Sequence, residues 1–357
     1  MKTCAFISFG CKVNQYDTQA LREQCAKQGL HEAAPGGDAD IYVINTCSVT
    51  EDADREALRV IRKIRRRHAQ AQIIVTGCLV DRKLRTLEGV DLIVPSRQKH
   101  LIAGLAADAT LRAAFAPCFT GGYTPLAVSE FAGHTRAFLK IQDGCEYACS
   151  FCKIPQVRGR AVSRPLPEIL DEARRLIAGG YPELVLTGVS LGNYGREWKG
   201  QGPSLPDVLA ELARVPDLGR LRISSVEPSD VTDRLLAVLG AHAVICRHLH
   251  LPLQSGSDRV LRMMRRHYSA AEYIALVARS QAAVPGLSLT TDVLVGFPGE
   301  TDDDQCQTER VLAEVRPIRA HLFSYSPRAG TWAATMTDRV PRAVATQRMD
   351  RLRALQR

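Results

Sequence analysis

The sequence predicts an α/β protein in two parts: an N-terminal doubly wound parallel-sheet domain, then an open, partial (βα)6 TIM-like barrel. Three observations carry that prediction. Short Ile/Val-rich runs alternate with helical patterns along almost the whole chain, which implies parallel sheets built from right-handed crossovers. The alternation lapses once, around residues 117–133. Six βα repeats follow the lapse over about 190 residues, too few for a closed eight-stranded barrel of roughly 250. With 357 residues, 45% of them hydrophobic, the chain has room for about two domains and is too apolar to be disordered.

The elements follow in order. Strands are expected at residues 4–9, 41–45, 72–76 and 91–95, apolar runs of the kind that buried parallel strands need. Helical patterns at 14–29, 52–69, 81–87 and 98–107 separate them, giving a first domain at 1–116. Pro117, Gly121, Gly122 and Pro125 break any periodicity, so 117–133 reads as a linker. Barrel strands are expected at 136–142, 183–187, 220–225, 247–251, 287–295 and 319–324, with helices at 167–179, 229–239 and 270–283, in a second domain at 134–340. Residues 341–357 read as a basic helix with Pro341 at its start.

No run approaches the ~18 apolar residues of a membrane span, and the apolar start of the chain is too short for a signal peptide. The expectation is a cytoplasmic protein with no membrane partner. Thiols there stay reduced, so the eleven cysteines point to metal binding or catalysis rather than disulfides. The net charge of +9 favours an acidic partner, nucleic acid first.

Two cysteine sets stand out. Cys145, Cys149 and Cys152 form CxxxCxxC directly after the first barrel strand, three thiolates able to wrap one soft metal centre. A closed zinc site would want a fourth ligand at regular short spacing. The next cysteine is Cys246 and the nearest histidine is His134, which favours a 4Fe–4S cluster with one open iron over zinc. Cys11, Cys47 and Cys78 each follow a predicted strand, and the carboxyl ends of parallel strands share one edge. Gly10 and Gly77 allow close backbone approach at two of these turns. Three buried core thiols remain the simpler alternative, but placement of each at a strand-to-helix turn favours a second cluster. Cys4, Cys25, Cys118, Cys246 and Cys306 lack such placement and read as core or incidental thiols.

Arg55, Arg59, Arg62 and Arg66 recur at helical spacing on one face, and Arg262, Arg265, Arg266 and His267 form a second basic patch. Either is a solvated face or a track for an RNA backbone.

The CxxxCxxC opening a partial barrel resembles the radical S-adenosylmethionine enzymes, and the whole chain resembles their methylthiotransferase family. The resemblance rests on Gly10-Cys11-Lys12-Val13-Asn14-Gln15-Tyr16-Asp17, Asn45-Thr46-Cys47, Thr76-Gly77-Cys78, Ile154-Pro155 with Arg158-Gly159-Arg160, Leu249-His250-Leu251-Pro252-Leu253-Gln254-Ser255-Gly256-Ser257, Asp292 through Thr301, and Tyr325 through Thr331. The first of these stretches and Lys140-Ile141-Gln142-Asp143-Gly144-Cys145 look most like the branch acting on threonylcarbamoyladenosine in tRNA.

The resemblance implies two 4Fe–4S clusters, S-adenosylmethionine, and conversion of an adenine C–H to C–S–CH3 beside the anticodon. It places one cluster on Cys145, Cys149 and Cys152, whose open iron binds S-adenosylmethionine, and one on Cys11, Cys47 and Cys78. Thr187 and Gly188 fall at the family's position for the methionine amino group. Ser224, Ser225 and Glu227 suit the ribose or sulfonium, Gln254 and Ser255 end the fourth strand, Val295 and Gly296 suit the adenine, and Phe151 packs over the cluster or the adenine. RNA-contact candidates are Arg59, Arg62, Arg66, Arg158, Arg160, Arg265 and Arg266. Implied partners are the tRNA anticodon loop, a flavodoxin- or ferredoxin-type electron donor and a sulfur source. The same chemistry on isopentenyladenosine or a ribosomal-protein aspartate is an alternative, as is a non-enzymatic zinc-containing RNA-binding module. The resemblance departs in two places. Family members usually continue past the final helix into a small tRNA-gripping β-barrel called TRAM, which these residues do not include, and Trp332 stands where proline often follows Gly-Thr.

Overall fold

The computed structural model describes every residue except 35, 49, 81–85, 120, 121, 132 and 357. Its first sheet contains β1 (Thr3–Ser8), β2 (His31–Glu32), β3 (Ile41–Thr46), β4 (Gln72–Gly77) and β5 (Leu92–Ile93), all parallel in the order β2-β1-β3-β4-β5. Alternation along β3 explains the double winding. Ile41 and Val43 face a core with Cys4, Leu21, Cys25 and Ile74, under α1 (Lys12–Lys27). Tyr42 and Ile44 face the opposite core with Ile61, Ile64 and Ile73, under α2 (Glu51–Arg67).

α2 is well specified locally. The Thr50 side chain accepts from the Ala53 N–H, acidic Glu51, Asp52 and Asp54 occupy the first turn, and Arg65, Arg66 and Arg67 the last, matching the helix dipole at both ends. The helix expected at 81–87 falls largely on residues outside those described. The one expected at 98–107 is a 3-10 turn, Ser96–Leu101, running into α3 (Ile102–Ala107). The short α4 (Ala109–Ala114) and the two-residue edge strand β2 have too little periodicity to be read from sequence.

The barrel strands are β6 (Ala137–Asp143), β7 (Val162–Ser163), β8 (Glu183–Gly188), β9 (Arg220–Ile223), β10 (His248–His250), β11 (Ser288–Val295) and β12 (Arg319–Ser324). They form the sheets β7-β6-β8-β9 and β10-β11-β12, joined by isolated parallel bridges Leu221–Ile245 and Ser225–His250. Six strands run parallel, and β7 pairs antiparallel at the β6 edge. The surrounding helices are α5 (Ile154–Arg158), α6 (Leu166–Ala178), α7 (Leu205–Leu212), α8 (Asp233–Ala241), α9 (Asp258–Met263), α10 (Ala270–Ala283), α11 (Asp302–Val315) and α12 (Arg342–Leu355). None of the described helices is long and apolar enough to cross a membrane.

The first domain packs against the open barrel through α1. Tyr16 and Ala20 belong to the barrel core, and the Tyr16 hydroxyl lies 2.8 Å from both the Leu126 carbonyl and Glu172 Oε1. The segment expected as a linker is therefore no free spacer: Leu126, Val128 and Phe131 are buried in that core. One residue further along α1, the fully buried Asp17 receives Lys99 Nζ and Lys140 Nζ, each at 2.6 Å. Lys140 also pairs with Asp143 at 2.6 Å, and Arg158 pairs with Asp143 at 2.8 Å. Burial alone would raise the Asp17 carboxyl, but Lys140, Lys99 and Arg158 outweigh it and hold it below the ordinary carboxylate value. This charge cluster fixes α1, whose N-cap is Cys11, against the strand that leads to Cys145.

Candidate active site

The parallel sheet delivers Cys11, Cys47 and Cys78 to one place. They follow β1, β3 and β4, which are adjacent in the sheet, and Cys11 is the N-cap of α1. Two glycines make the close approach possible. Gly10 has φ +85° and a Cβ there would overlap Cys47 Sγ; Gly77 has φ +98° and a Cβ would overlap the Thr46 backbone. All three cysteines line a single cavity of about 950 Å³. Cys4 and Cys25, by contrast, are buried in the sheet core.

Cys145, Cys149 and Cys152 occupy the loop after β6, each half-buried. The Tyr147 N–H approaches Cys145 Sγ at 3.4 Å, and Arg266 Nη1 lies 3.2 Å from Cys149 Sγ. Burial pushes the Cys145 thiol up to about 11. It pushes Cys152 up to about 12, with Cys149, Cys145 and Cys78 adding to the rise. Metal binding at these thiols therefore releases protons, and Cys78 is close enough for the two cysteine sets to sense each other. Three thiols on tight turns, with N–H donors beside the sulfurs, form a donor set that suits 4Fe–4S ligation.

Arg158 lies between the sets. Its guanidinium pairs with Asp143, donates to Asn14 Oδ1 at 2.7 Å and lines the cavity. Burial would lower it, but Asp143, Cys78, Asp17 and Cys11 keep it charged. The structure corrects the expectation that Arg158 contacts RNA: it is buried among carboxylates and thiols. Arg266 is corrected for the same reason. It is buried and ion-paired with Glu227, beside Cys149. The other basic candidates are exposed. Arg59, Arg62 and Arg66 border a surface groove along α2. Arg160 is loosely paired with Glu146 at 3.3 Å. Arg265 stacks 5.3 Å over the ring of Trp332, which gives that residue a packing role.

The cofactor candidates divide. Thr187, Gly188, Ser224 and Ser225 line the cavity. Glu227, held above its ordinary value by burial, sits with Arg266 next to the Cys149 loop. Phe151 packs edge-on against Phe297, 6.5 Å between centroids, with Val260 and Met264. Gln254 adopts φ +64°, its N–H bonding the Asp292 carbonyl and its carbonyl accepting from Leu294. Ser255 and Val295 are not among the residues that line the cavity. Ser255 is committed inside its turn, where its Oγ accepts from the Ser257 N–H at 3.2 Å and lies 3.4 Å from Thr308 Oγ1. Val295 is fully buried in the barrel core. The Gly296 N–H donates to Glu300 Oε2 at 2.7 Å, on the side facing α12.

Sequence reasoning missed the inner wall of the barrel. Lys12, Arg136, Arg222, Arg319, His248, His250, Asp292 and His321 all line the cavity. Period-two alternation along the eight residues of β11, which sets Thr290 and Asp292 on one face, was the available signal.

Two family models match the chain: "Uncharacterized protein family UPF0004" over residues 3–94 and "Radical SAM superfamily" over residues 139–312. The threonylcarbamoyladenosine tRNA methylthiotransferase MtaB of Bacillus subtilis is 38% identical over 99% of this chain and 80% of that protein. The tRNA-2-methylthio-N(6)-dimethylallyladenosine synthase of Erythrobacter litoralis is 36% identical over 99% of this chain and 81% of that protein. Among solved structures, the radical S-adenosylmethionine methyltransferase TsrM of Kitasatospora setae matches with a TM-score of 0.66 at 15% identity, covering 90% of this chain and 73% of that one. That last likeness is one of fold.

Proposed function

Because the chain belongs to the radical S-adenosylmethionine tRNA methylthiotransferase family, we propose that it inserts sulfur and a methyl group at carbon 2 of threonylcarbamoyladenosine beside the tRNA anticodon. It is a transferase whose cofactors are S-adenosylmethionine and 4Fe–4S clusters. The observation that carries the proposal is the meeting of two three-thiol sets at the junction of the domains, with Cys11, Cys47 and Cys78 opening on a cavity of about 950 Å³.

In this reading Cys145, Cys149 and Cys152 hold the cluster that binds S-adenosylmethionine, and Cys11, Cys47 and Cys78 hold the second. When bound, these cofactors supply one-electron chemistry able to remove hydrogen from an adenine carbon, and the sulfur and methyl that replace it. The chain's own residues position and enclose. Thr187, Gly188 and Ser224 present polar groups at the carboxyl ends of β8 and β9. The Arg266–Glu227 pair braces the Cys149 loop. The Asp17–Lys140–Asp143–Arg158 cluster keeps the two thiol sets at a fixed separation. Arg59, Arg62, Arg66, Arg160 and Arg265 are exposed, their only ion pairs among the described residues lying at the surface, and in this reading they meet phosphates of the anticodon stem. A flavodoxin- or ferredoxin-type donor and a sulfur source complete the reaction.

The test is mass-spectrometric nucleoside analysis of tRNA from a strain lacking this chain. The 2-methylthio derivative of threonylcarbamoyladenosine disappears and returns on complementation. If that signal is unchanged while the isopentenyladenosine derivative is lost, the chemistry stands and the substrate assignment falls.

A further inference from the structure

The cavity continues well past the thiols. Thr187, Gly188 and Ser224 line it at the carboxyl ends of β8 and β9, whereas Arg136 directly precedes β6 and Arg319 opens β12. Its lining thus runs the length of the barrel strands, and toward their amino ends it becomes cationic. Glu183 is shared among Arg136 at 3.7 Å, Arg220 at 3.3 Å and Arg222 at 3.3 Å. Among the described residues, Lys12 and Arg319 have no carboxylate within ion-pair distance. Lys12 lies 3.5 Å from Ser224 Oγ and lines the same cavity. Cations that outnumber the carboxylates along this wall favour an anionic occupant.

One other cluster shares this wall. His250, Asp292 and His321 bring their ligand atoms within 4.8 Å of one another, a spacing a divalent metal accepts. However, His250 Nδ1 is 2.9 Å from Thr290 Oγ1 and its Nε2 is 3.1 Å from Asp292, so both ring nitrogens are engaged. The surrounding cations also oppose a metal ion, so the trio serves as a fixed hydrogen-bonding wall.

We propose that Lys12, with Arg222 and Arg319, holds the carboxylate carried by the N6 substituent of the target adenosine and thereby selects the threonylcarbamoyl over the isopentenyl base. The proposal rests on the methylthiolation reading and adds its specificity determinant. An apolar substituent entering here would leave these cations unpaired, which is rejection by lost pairing rather than by size.

The test uses the reconstituted holoenzyme and synthetic anticodon stem–loops carrying threonylcarbamoyladenosine, its threonyl methyl ester, or isopentenyladenosine, with 2-methylthio product measured by mass spectrometry. Wild type is expected to prefer the acid over its ester by about tenfold or more in kcat/KM, the scale of one charge-assisted hydrogen bond. Lys12→Met is expected to lower kcat/KM for the acid by a similar factor and to leave the ester within about twofold. The KM for S-adenosylmethionine and the iron content should not change. Arg319→Met, at the start of β12 and outside the thiol loops, should behave alike and provides a second route if Lys12→Met does not fold. Equal use of acid and ester by wild type overturns this proposal alone. So does a variant that loses both substrates in proportion, or one that raises the KM for S-adenosylmethionine. Wild type that modifies only the isopentenyl stem–loop overturns the substrate assignment as well.

Discussion

Asp17→Asn is the substitution that most directly tests how the two domains are held together. The cluster around it contains three cations, Lys99, Lys140 and Arg158, and two carboxylates, Asp17 and Asp143, all essentially buried. Neutralising Asp17 leaves three buried cations facing one carboxylate. Lys140 and Arg158 keep Asp143 at 2.6 and 2.8 Å, so the stranded group is Lys99, whose Nζ has Asp17 at 2.6 Å. Removing one partner of a buried pair costs about 3–5 kcal/mol. At about 2 °C per kcal/mol for a domain of this size, the apparent unfolding midpoint should fall by about 6–10 °C. Anaerobic circular-dichroism melts of the apo-protein measure it. The companion Asp17→Asn/Lys99→Met removes the stranded charge and should recover much of the loss, a coupling expected only for groups in direct contact. A single variant within about 2 °C of wild type, or a double variant no better than the single, would refute the charge-pair account.

Four further outcomes follow from the same geometry. Both cluster carboxylates are held below the ordinary value of 3.8, Asp17 and Asp143 each by lysine and arginine partners that outweigh burial; their stabilisation is complete above that value and disappears as pH falls below it, so an acid titration of wild type should be steeper than that of Asp17→Asn. Converting Cys11, Cys47 and Cys78 together to alanine should reduce reconstituted iron from about eight to about four per chain, as two four-iron clusters require, with S-adenosylmethionine cleavage retained and product lost; an unchanged iron count would make those thiols structural. Arg266→Met removes the N–H beside Cys149 Sγ, and since such bonds stabilise the reduced cluster, the midpoint potential read by electron paramagnetic resonance titration should move to more negative values; no movement would mean that Arg266 only braces Glu227. Arg59→Ala/Arg62→Ala/Arg66→Ala should weaken tRNA binding and lower the salt slope by about 0.7–0.9 for each phosphate that is no longer neutralised, without changing iron content.

The division of the fold into a wound sheet and an open barrel was legible because the relevant signals are local. Ile/Val runs mark strands, and α2 announces its own ends through Thr50 and its terminal charges. That Cys11, Cys47 and Cys78 lie together was legible for a topological reason: in parallel sheets, positions just past strand ends converge whatever their separation in sequence. Cys145, Cys149 and Cys152 are kept together by their spacing in one loop. Arg158 and Arg266 could not be read this way. In the sequence each is an arginine in a basic stretch, and only the fold shows Asp143 and Glu227 waiting for them. Their burial follows from the site's own needs. Clusters held on these thiols, as proposed, would concentrate negative charge at the domain junction, and a buried guanidinium with carboxylate support is a compact way to balance it without admitting water. The same logic separates the basic residues into two populations. Those facing the thiols and the barrel bore are positioned by carboxylates or left short of them, whereas Arg59, Arg62 and Arg66 on α2 stay solvated. Charge composition alone counts the two together. Distinguishing them requires knowing which side of each strand and helix looks inward, and for β9 and β10 the runs are too short, at 4 and 3 residues, for alternation to decide.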